Sequence, residues 1–138
     1  IPFVVRWPGK IPSGRVNHSS ILSGLDFLPT LCHLTGTSYD KNKFEGLNVS
    51  DVWLGEKRNY QRFLFWAKQS PVGLSNNWKY HVNKQTGDEL YDLAKDPNET
   101  NNLITKNPEK AASMRSSVMT WYEGLPTLAT KARGSTKK

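Results

Sequence analysis

The sequence predicts an α/β chain, more narrowly an α+β fragment: the end of an α/β domain followed by a small antiparallel sheet covered by a C-terminal helix. Three observations carry that expectation. Ile1-Pro-Phe-Val-Val-Arg-Trp7 is a nearly continuous apolar run, which suits a strand buried on both faces at the centre of a sheet. Residues 78–83 and 89–93 flank a polar loop with one glycine, the pattern of a β-hairpin. Met114, Val118, Trp121, Tyr122 and Leu125 recur at helical spacing and give a helix one apolar face to lay on that sheet.

In chain order, the opening run is stopped by Pro8-Gly9 and continues as the turn-rich loop Pro8-Gly-Lys-Ile-Pro-Ser-Gly14. A chain that opens directly on a buried-type strand reads as the cut edge of something larger, the strand lying between neighbours supplied from outside it. From about Ser23 the spacing is helical, with Leu25, Leu28, Leu31, Cys32 and Leu34 on one side. Pro29 is tolerable only in a first turn, so the regular helix starts near Phe27 or Leu28, and Gly36 ends it as a left-handed cap. Residues 37–60 carry little periodicity and read as a surface connection with one helical turn near Val52-Trp-Leu54. Residues 62–66 are a second apolar run and a strand, and with the hairpin they make a sheet of three strands.

The hairpin leads into Glu89-Leu-Tyr-Asp-Leu-Ala-Lys-Asp-Pro-Asn-Glu-Thr-Asn-Asn-Leu103. Asp96-Pro97 fixes a corner, because proline sets its own φ and pushes the preceding residue out of the helical region. Asn98, Asn101 and Asn102 are expected to bond locally to the backbone and hold a compact turn, and Leu103 returns an anchor to the core. Asn107 followed by Pro108 starts the covering helix, and Gly124 and Pro126 stop it. The organisation is therefore 1–58 as the end of an α/β domain, 59–126 as a sheet-plus-helix subdomain, and 127–138 as a basic, disordered tail.

A hydrophobic content of 36% with five tryptophans argues for a folded protein. No run approaches the roughly 20 apolar residues that span a bilayer. The net charge of +7 invites a nucleic-acid or polyanion reading. Yet Lys131, Arg133, Lys137 and Lys138 supply more than half of that surplus, and no acid follows Glu123. The body is ordinary in charge, and neither nucleic acid nor membrane is expected as a partner. The single cysteine, Cys32, excludes an internal disulfide and reads as a buried thiol on a helix.

The string E-L-Y-D-L-x-x-D-P-x-E-x-x-N-L over residues 89–103 resembles the closing motif of the type I, formylglycine-dependent sulfatases of the alkaline-phosphatase-like superfamily. Three more stretches resemble that family in the same order. They are Ile1-Pro-Phe-Val-Val-Arg-Trp-Pro-Gly-Lys-Ile-Pro-Ser-Gly14, Leu25-Asp-Phe-Leu-Pro-Thr-Leu-Cys-His-Leu-Thr-Gly36, and Phe63-Leu-Phe-Trp66 with Trp78-Lys79. The resemblance covers about residues 1–125 and implies the C-terminal portion of a sulfatase, a hydrolase of sulfuric esters on sulfated sugars or aryl alcohols. It implies an extracytoplasmic location (periplasmic, secreted or lysosomal) and an N-terminal catalytic part as partner. Near the hairpin the chain departs from the family, with Ser75 and Asn76-Asn77 where an Arg and a Gly-Asp pair commonly precede Trp-Lys.

The resemblance also says what this chain should lack. Family chemistry needs a formylglycine made in a C/S-x-P-x-R motif, and Cys32-His-Leu-Thr-Gly36 has neither the proline nor the arginine. It needs a divalent cation, usually calcium, to neutralise the sulfate charge, with Lys and His to stabilise the transition state. Those groups lie upstream of the strand that here is residues 1–7, so calcium and formylglycine are expected in the N-terminal part and no cofactor in this chain. Asp26 is expected to support its helix start, and Asp92 and Asp96 sit in turn motifs. His18, His33 and His81 have no ligand spacing, so neither metal nor catalytic residues are expected. What remains is substrate contact through the loop Ala67-Lys-Gln-Ser-Pro-Val-Gly73, with Lys68 as a point charge for sulfate or carboxylate and Gln69 and Ser70 offering hydrogen bonds. The chain alone should be inert. The competing function is a freestanding basic module that binds sulfated polysaccharide or other polyanions.

Overall fold

A computed structural model of the chain describes residues 3–56, 58–67 and 70–126. The chain divides into two compact units, Ile1–Arg62 and Phe63–Lys138. The expected basic tail, 127–138, lies outside the described residues.

The first unit holds a 3-10 turn at Gly24–Asp26 running into helix α1 (Phe27–Thr35), a 3-10 turn at Lys41–Lys43, and helix α2 (Ser50–Leu54). The 3-10 turn that leads into α1 is fixed by a reciprocal cap. The Ser23 hydroxyl accepts from Leu25 N–H, and the Asp26 carboxylate accepts from Ser23 N–H at 2.7 Å. Gly36 closes the helix in the left-handed region, φ 71°, as the sequence predicts.

Asp26 does more than begin a helix. It is 1% exposed and accepts from Leu47 N–H at 2.9 Å, and both terminal nitrogens of the Arg62 guanidinium donate to it. One turn on, Thr30 accepts from Val49 N–H at 3.0 Å. Asp26 and Thr30, four residues apart on one helix face, therefore strap residues 47–49 against α1. Gly46 has to be glycine there, because a Cβ would sit 1.9 Å from the Leu25 carbonyl oxygen.

Two expectations fail in this unit. The leucine row of α1 does not turn inward: Leu25, Leu28 and Leu31 are 55%, 40% and 48% exposed, while Asp26, Pro29, Thr30 and Cys32 are buried. Two directed side-chain networks decide the buried face, and periodicity does not. The strand expected over residues 1–7 is also not formed among the described residues. Val4 is 86% exposed, and Phe3 packs on Phe27 and Trp53 with ring centroids 5.3 and 5.5 Å away. A strand is a property of a ladder, and the sheet of this chain, β1-β2-β3-β4, does not include this segment.

The second unit is an antiparallel sheet of four strands, not three, in sequential order: β1 (Phe63–Ala67), β2 (Pro71–Ser75), β3 (Trp78–His81) and β4 (Glu89–Asp92). The additional strand, β2, has no strand signal in the sequence, since it begins at proline and carries a glycine. Pro71 is tolerated at the first strand position. Gly73 is there for room: a Cβ would lie 2.4 Å from Val118 and 2.7 Å from Phe63. Helix α3 (Pro108–Glu123) covers one face, burying Ala111, Met114 and Val118 against Tyr80, Val82 and Leu90. Of the expected stripe, Trp121 stacks on Phe65 at 5.1 Å, whereas Tyr122 and Leu125 stay exposed.

The turn after β4 is held differently from the expectation. Asp96 accepts from the N–H groups of Thr100 and Asn101, both at 2.8 Å, and these bonds hold its carboxyl below the ordinary value. Of the three asparagines Asn102 contributes, accepting from Leu90 N–H and Ile104 N–H at 3.0 Å each. Leu103 N–H then donates to Leu90 O at 2.8 Å.

Gly46→Ala should lower the unfolding free energy by about 3 kcal/mol, the upper end of overpacking costs, because the clash is with backbone. Gly24→Ala, which meets nothing within 4 Å, should stay within about 0.5 kcal/mol of the parent. Urea denaturation midpoints of the two variants check this.

Candidate site at the β1–β2 connection

The register of the β3–β4 hairpin decides which side chains can meet. Tyr80 pairs with Leu90, and both turn toward α3. Side chains alternate along a strand, so the next rung, His81 opposite Glu89, points to the other face. His81 also pairs with Val72 on β2, which brings Ser70, just before that strand, alongside it.

The result is a three-residue chain of contacts. Ser70 Oγ lies 2.7 Å from His81 Nε2, and His81 Nδ1 lies 3.3 Å from a Glu89 carboxylate oxygen. The side chains of His81 and Glu89 are partly exposed, 32% and 27%. Lys79 and Tyr91 share their face of the sheet by the same alternation, and Lys79 is paired with Glu99 at 2.6 Å. Burial first, and then the nearby Glu89 and Glu99 carboxylates, push the Tyr91 phenol above its ordinary value.

The hairpin under this site is clamped by Asp88. Its carboxylate accepts from Asn83 N–H at 3.0 Å, from the Tyr80 hydroxyl at 2.7 Å and from Arg115 Nε at 3.1 Å. Burial alone would raise the Asp88 carboxyl, but these three bonds outweigh it and leave it below its ordinary value. The same burial and the Asp88 charge drive the Tyr80 phenol far upward.

Of the residues expected to contact substrate, Ser70 is described and stands in this network, whereas Lys68 and Gln69 lie outside the described residues. Asp26, Asp92 and Asp96 hold backbone, as read from the sequence; Asp92, buried, accepts from Ala94 N–H at 3.2 Å. His81 and Glu89 were missed as functional candidates. The strand ends expected from the sequence, 83 and 89, set 81 opposite 91, whereas the structure pairs 81 with 89, so the strand pattern alone does not bring these two side chains together. The contact of Ser70 with His81 depends on β2, which carries no strand signal in the sequence. A cleft of about 1430 Å3 lies in the first unit, lined by Phe3, Arg6, Trp7, Arg15 and Arg58 among others. Among the described residues no three His, Cys, Asp or Glu side chains gather as a metal site.

Residues 1–120 match the family "N-sulphoglucosamine sulphohydrolase, C-terminal". The chain is 36% identical to rat (Rattus norvegicus) arylsulfatase G over 74 residues, covering 53% of this chain and 14% of that protein. It is 31% identical to the Delta 4,5-hexuronate-2-O-sulfatase of Bacteroides thetaiotaomicron, covering 79% of this chain and 25% of that protein. Among solved structures, a 2-O GAG sulfatase superposes with a TM-score of 0.56 at 27% identity, covering 73% of this chain and 26% of that one. Ps i-CgsB shares the fold with a TM-score of 0.67 at 20% identity, covering 83% of this chain and 27% of that one. The chain thus spans about a quarter or less of these relatives.

Asp88→Asn should cost about 1–2 kcal/mol at pH 7, the scale of hydrogen bonds to a partly buried charged group. A carboxyl depressed by folding stabilises above its unfolded value, near 3.8, and loses that contribution as pH falls through its lower folded value. The difference between variant and parent should therefore be full above about pH 5 and shrink steadily as the solution is acidified below the ordinary carboxylate value, read by urea denaturation.

Proposed function

We propose, since this chain belongs to the sulfatase family and is the C-terminal portion of a sulfatase, that the protein it completes hydrolyses the sulfate esters of a saccharide or an aryl alcohol. The match over residues 1–120 carries this reading. The names of two relatives, a hexuronate-2-O-sulfatase and a 2-O GAG sulfatase, favour a sulfated saccharide over a simple aryl sulfate.

In this reading the catalytic nucleophile, a formylglycine, and the calcium that neutralises sulfate belong to the N-terminal part of the protein. The present chain completes the fold and walls the substrate cleft. The β1–β2 connection supplies the contact: Lys68 attracts the anionic substituents as a point charge, and Gln69 and Ser70 bond to them directly. Ser70 is already ordered by His81, which supports a role that depends on position. The compartment follows the family and is extracytoplasmic. No described helix is long and apolar enough to cross a membrane.

The intact protein should release sulfate from 4-nitrophenyl sulfate or a sulfated disaccharide, and this chain expressed alone should release none, with or without calcium. Turnover by the isolated chain would overturn the division of labour. In the intact protein, Lys68→Ala should raise KM for the disaccharide by about tenfold and change kcat by less than twofold, as expected for a group that binds substrate and transition state alike. If Lys68→Ala left KM unchanged while removal of residues 129–138 abolished retention on heparin, nonspecific charge attraction would replace the cleft contact.

A further inference from the structure

The contact chain Ser70–His81–Glu89 fixes more than the place of a serine, because each member has a limited inventory of protons. An ionised carboxylate can only accept, so Glu89 favours a proton on His81 Nδ1. A neutral imidazole then carries only a lone pair on Nε2, and Ser70 has to spend its single proton on that nitrogen at 2.7 Å. The outward side of Ser70 Oγ is left with lone pairs and accepts hydrogen bonds. When the imidazole takes a second proton, Nε2 becomes a donor and Ser70 accepts from it. Its own O–H is then released to an outside acceptor, and a positive charge stands behind it.

We infer that His81, oriented by Glu89, is a positioning residue that sets the hydrogen-bonding sense of Ser70. With His81 neutral, Ser70 receives a saccharide hydroxyl; with His81 protonated, it donates to a sulfate or carboxylate oxygen of the same class of substrate. This rests on the reading of the chain as part of a saccharide sulfatase and deepens it, since it assigns opposite roles to one hydroxyl.

The neighbours permit such a change. On the same face β1 and β2 present Leu64, Trp66, Val72 and Leu74, none of them titratable. On β3 and β4 the charged or titratable neighbours are Lys79, Glu89 and Tyr91, and Glu99 joins them from the turn after β4. Lys79 and Glu99 already pair with each other at 2.6 Å, so Glu89 is the charge placed directly on His81. Helix α3 lies on the other face, behind Tyr80 and Leu90.

The test uses the intact protein and two readouts. In 15N-histidine spectra, the resonance lost in His81→Gln should show the Nδ1–H tautomer at high pH, and Glu89→Gln should shift that preference. A dominant Nε2–H tautomer would overturn the assignment whether or not the protein hydrolyses sulfate. In kinetics on a sulfated disaccharide, KM should fall about fivefold as pH drops from about 8 to 5, the range in which imidazoles gain charge and a hydrogen bond is redirected. His81→Gln cannot titrate and should flatten that profile, and Ser70→Ala should flatten it too. A KM profile in His81→Gln as steep as the parent's would overturn the proposal. Absence of any sulfate release would overturn the sulfatase reading instead, leaving the tautomer measurement to decide the coupling.

Discussion

The register of the β3–β4 hairpin is the constraint on which the second unit depends. Side-chain period in a strand is two, so a slip of one residue would exchange the faces. Tyr80 and Leu90, buried under α3, would move to the open side, and His81 and Glu89 would be driven into an apolar core. Burying an imidazole and a carboxylate there costs far more than the sheet gains from shifted ladder bonds. Asp88 enforces the native choice at the hairpin loop, because one carboxylate joins Asn83 of the loop, Tyr80 of the strand and Arg115 of the covering helix. The same pin that secures the core therefore places the candidate site on the opposite face.

The first unit is organised by a different kind of constraint, a buried charge. Asp26, almost wholly enclosed, would be costly to hold there alone, and its side chain is matched by the Arg62 guanidinium and two backbone N–H groups. The pairing is local in space and distant in sequence, closing a span of 36 residues. It settles which face of α1 turns inward, against the helix's own leucine pattern. A row of leucines contributes only if something covers it, whereas an enclosed carboxylate without its partners is a direct penalty.

These two cases show why part of the structure was legible in the sequence and part was not. The cap at Gly36, the proline start of α3, the strand pair around a glycine-bearing loop and the corner at Asp96-Pro97 are all set by residues within a few positions of each other. Local rules suffice for those. The inward face of α1 depends on Arg62, and β2 depends on Val118 leaving space above Gly73, so neither can be read from its own neighbourhood. Residues 3–7 fail for a related reason: apolar composition licenses a strand, but only another strand makes one. The contact loop was half legible. Ser70 could be named from its place in the chain, while its partners His81 and Glu89 come from two later strands.

That distribution fits the work proposed for such a segment. A group that makes and breaks a sulfate ester has to be placed to within a fraction of an ångström, and it belongs with the metal and nucleophile it serves. A group that recognises the rest of the saccharide acts through binding energy, and binding gained away from the reacting centre can be spent on orientation and distortion there. Its requirement is a fixed position and a defined hydrogen-bonding sense. A serine just before β2, held by a histidine that is itself braced by a carboxylate on the next strand, meets both conditions. On the proposed reading, substitutions at Ser70, His81 or Glu89 would change which sulfated saccharide is accepted and spare the core that Tyr80, Leu90 and Val118 maintain, because His81 and Glu89 lie on the other face of the sheet. Specificity and stability would then be carried by opposite faces of one sheet.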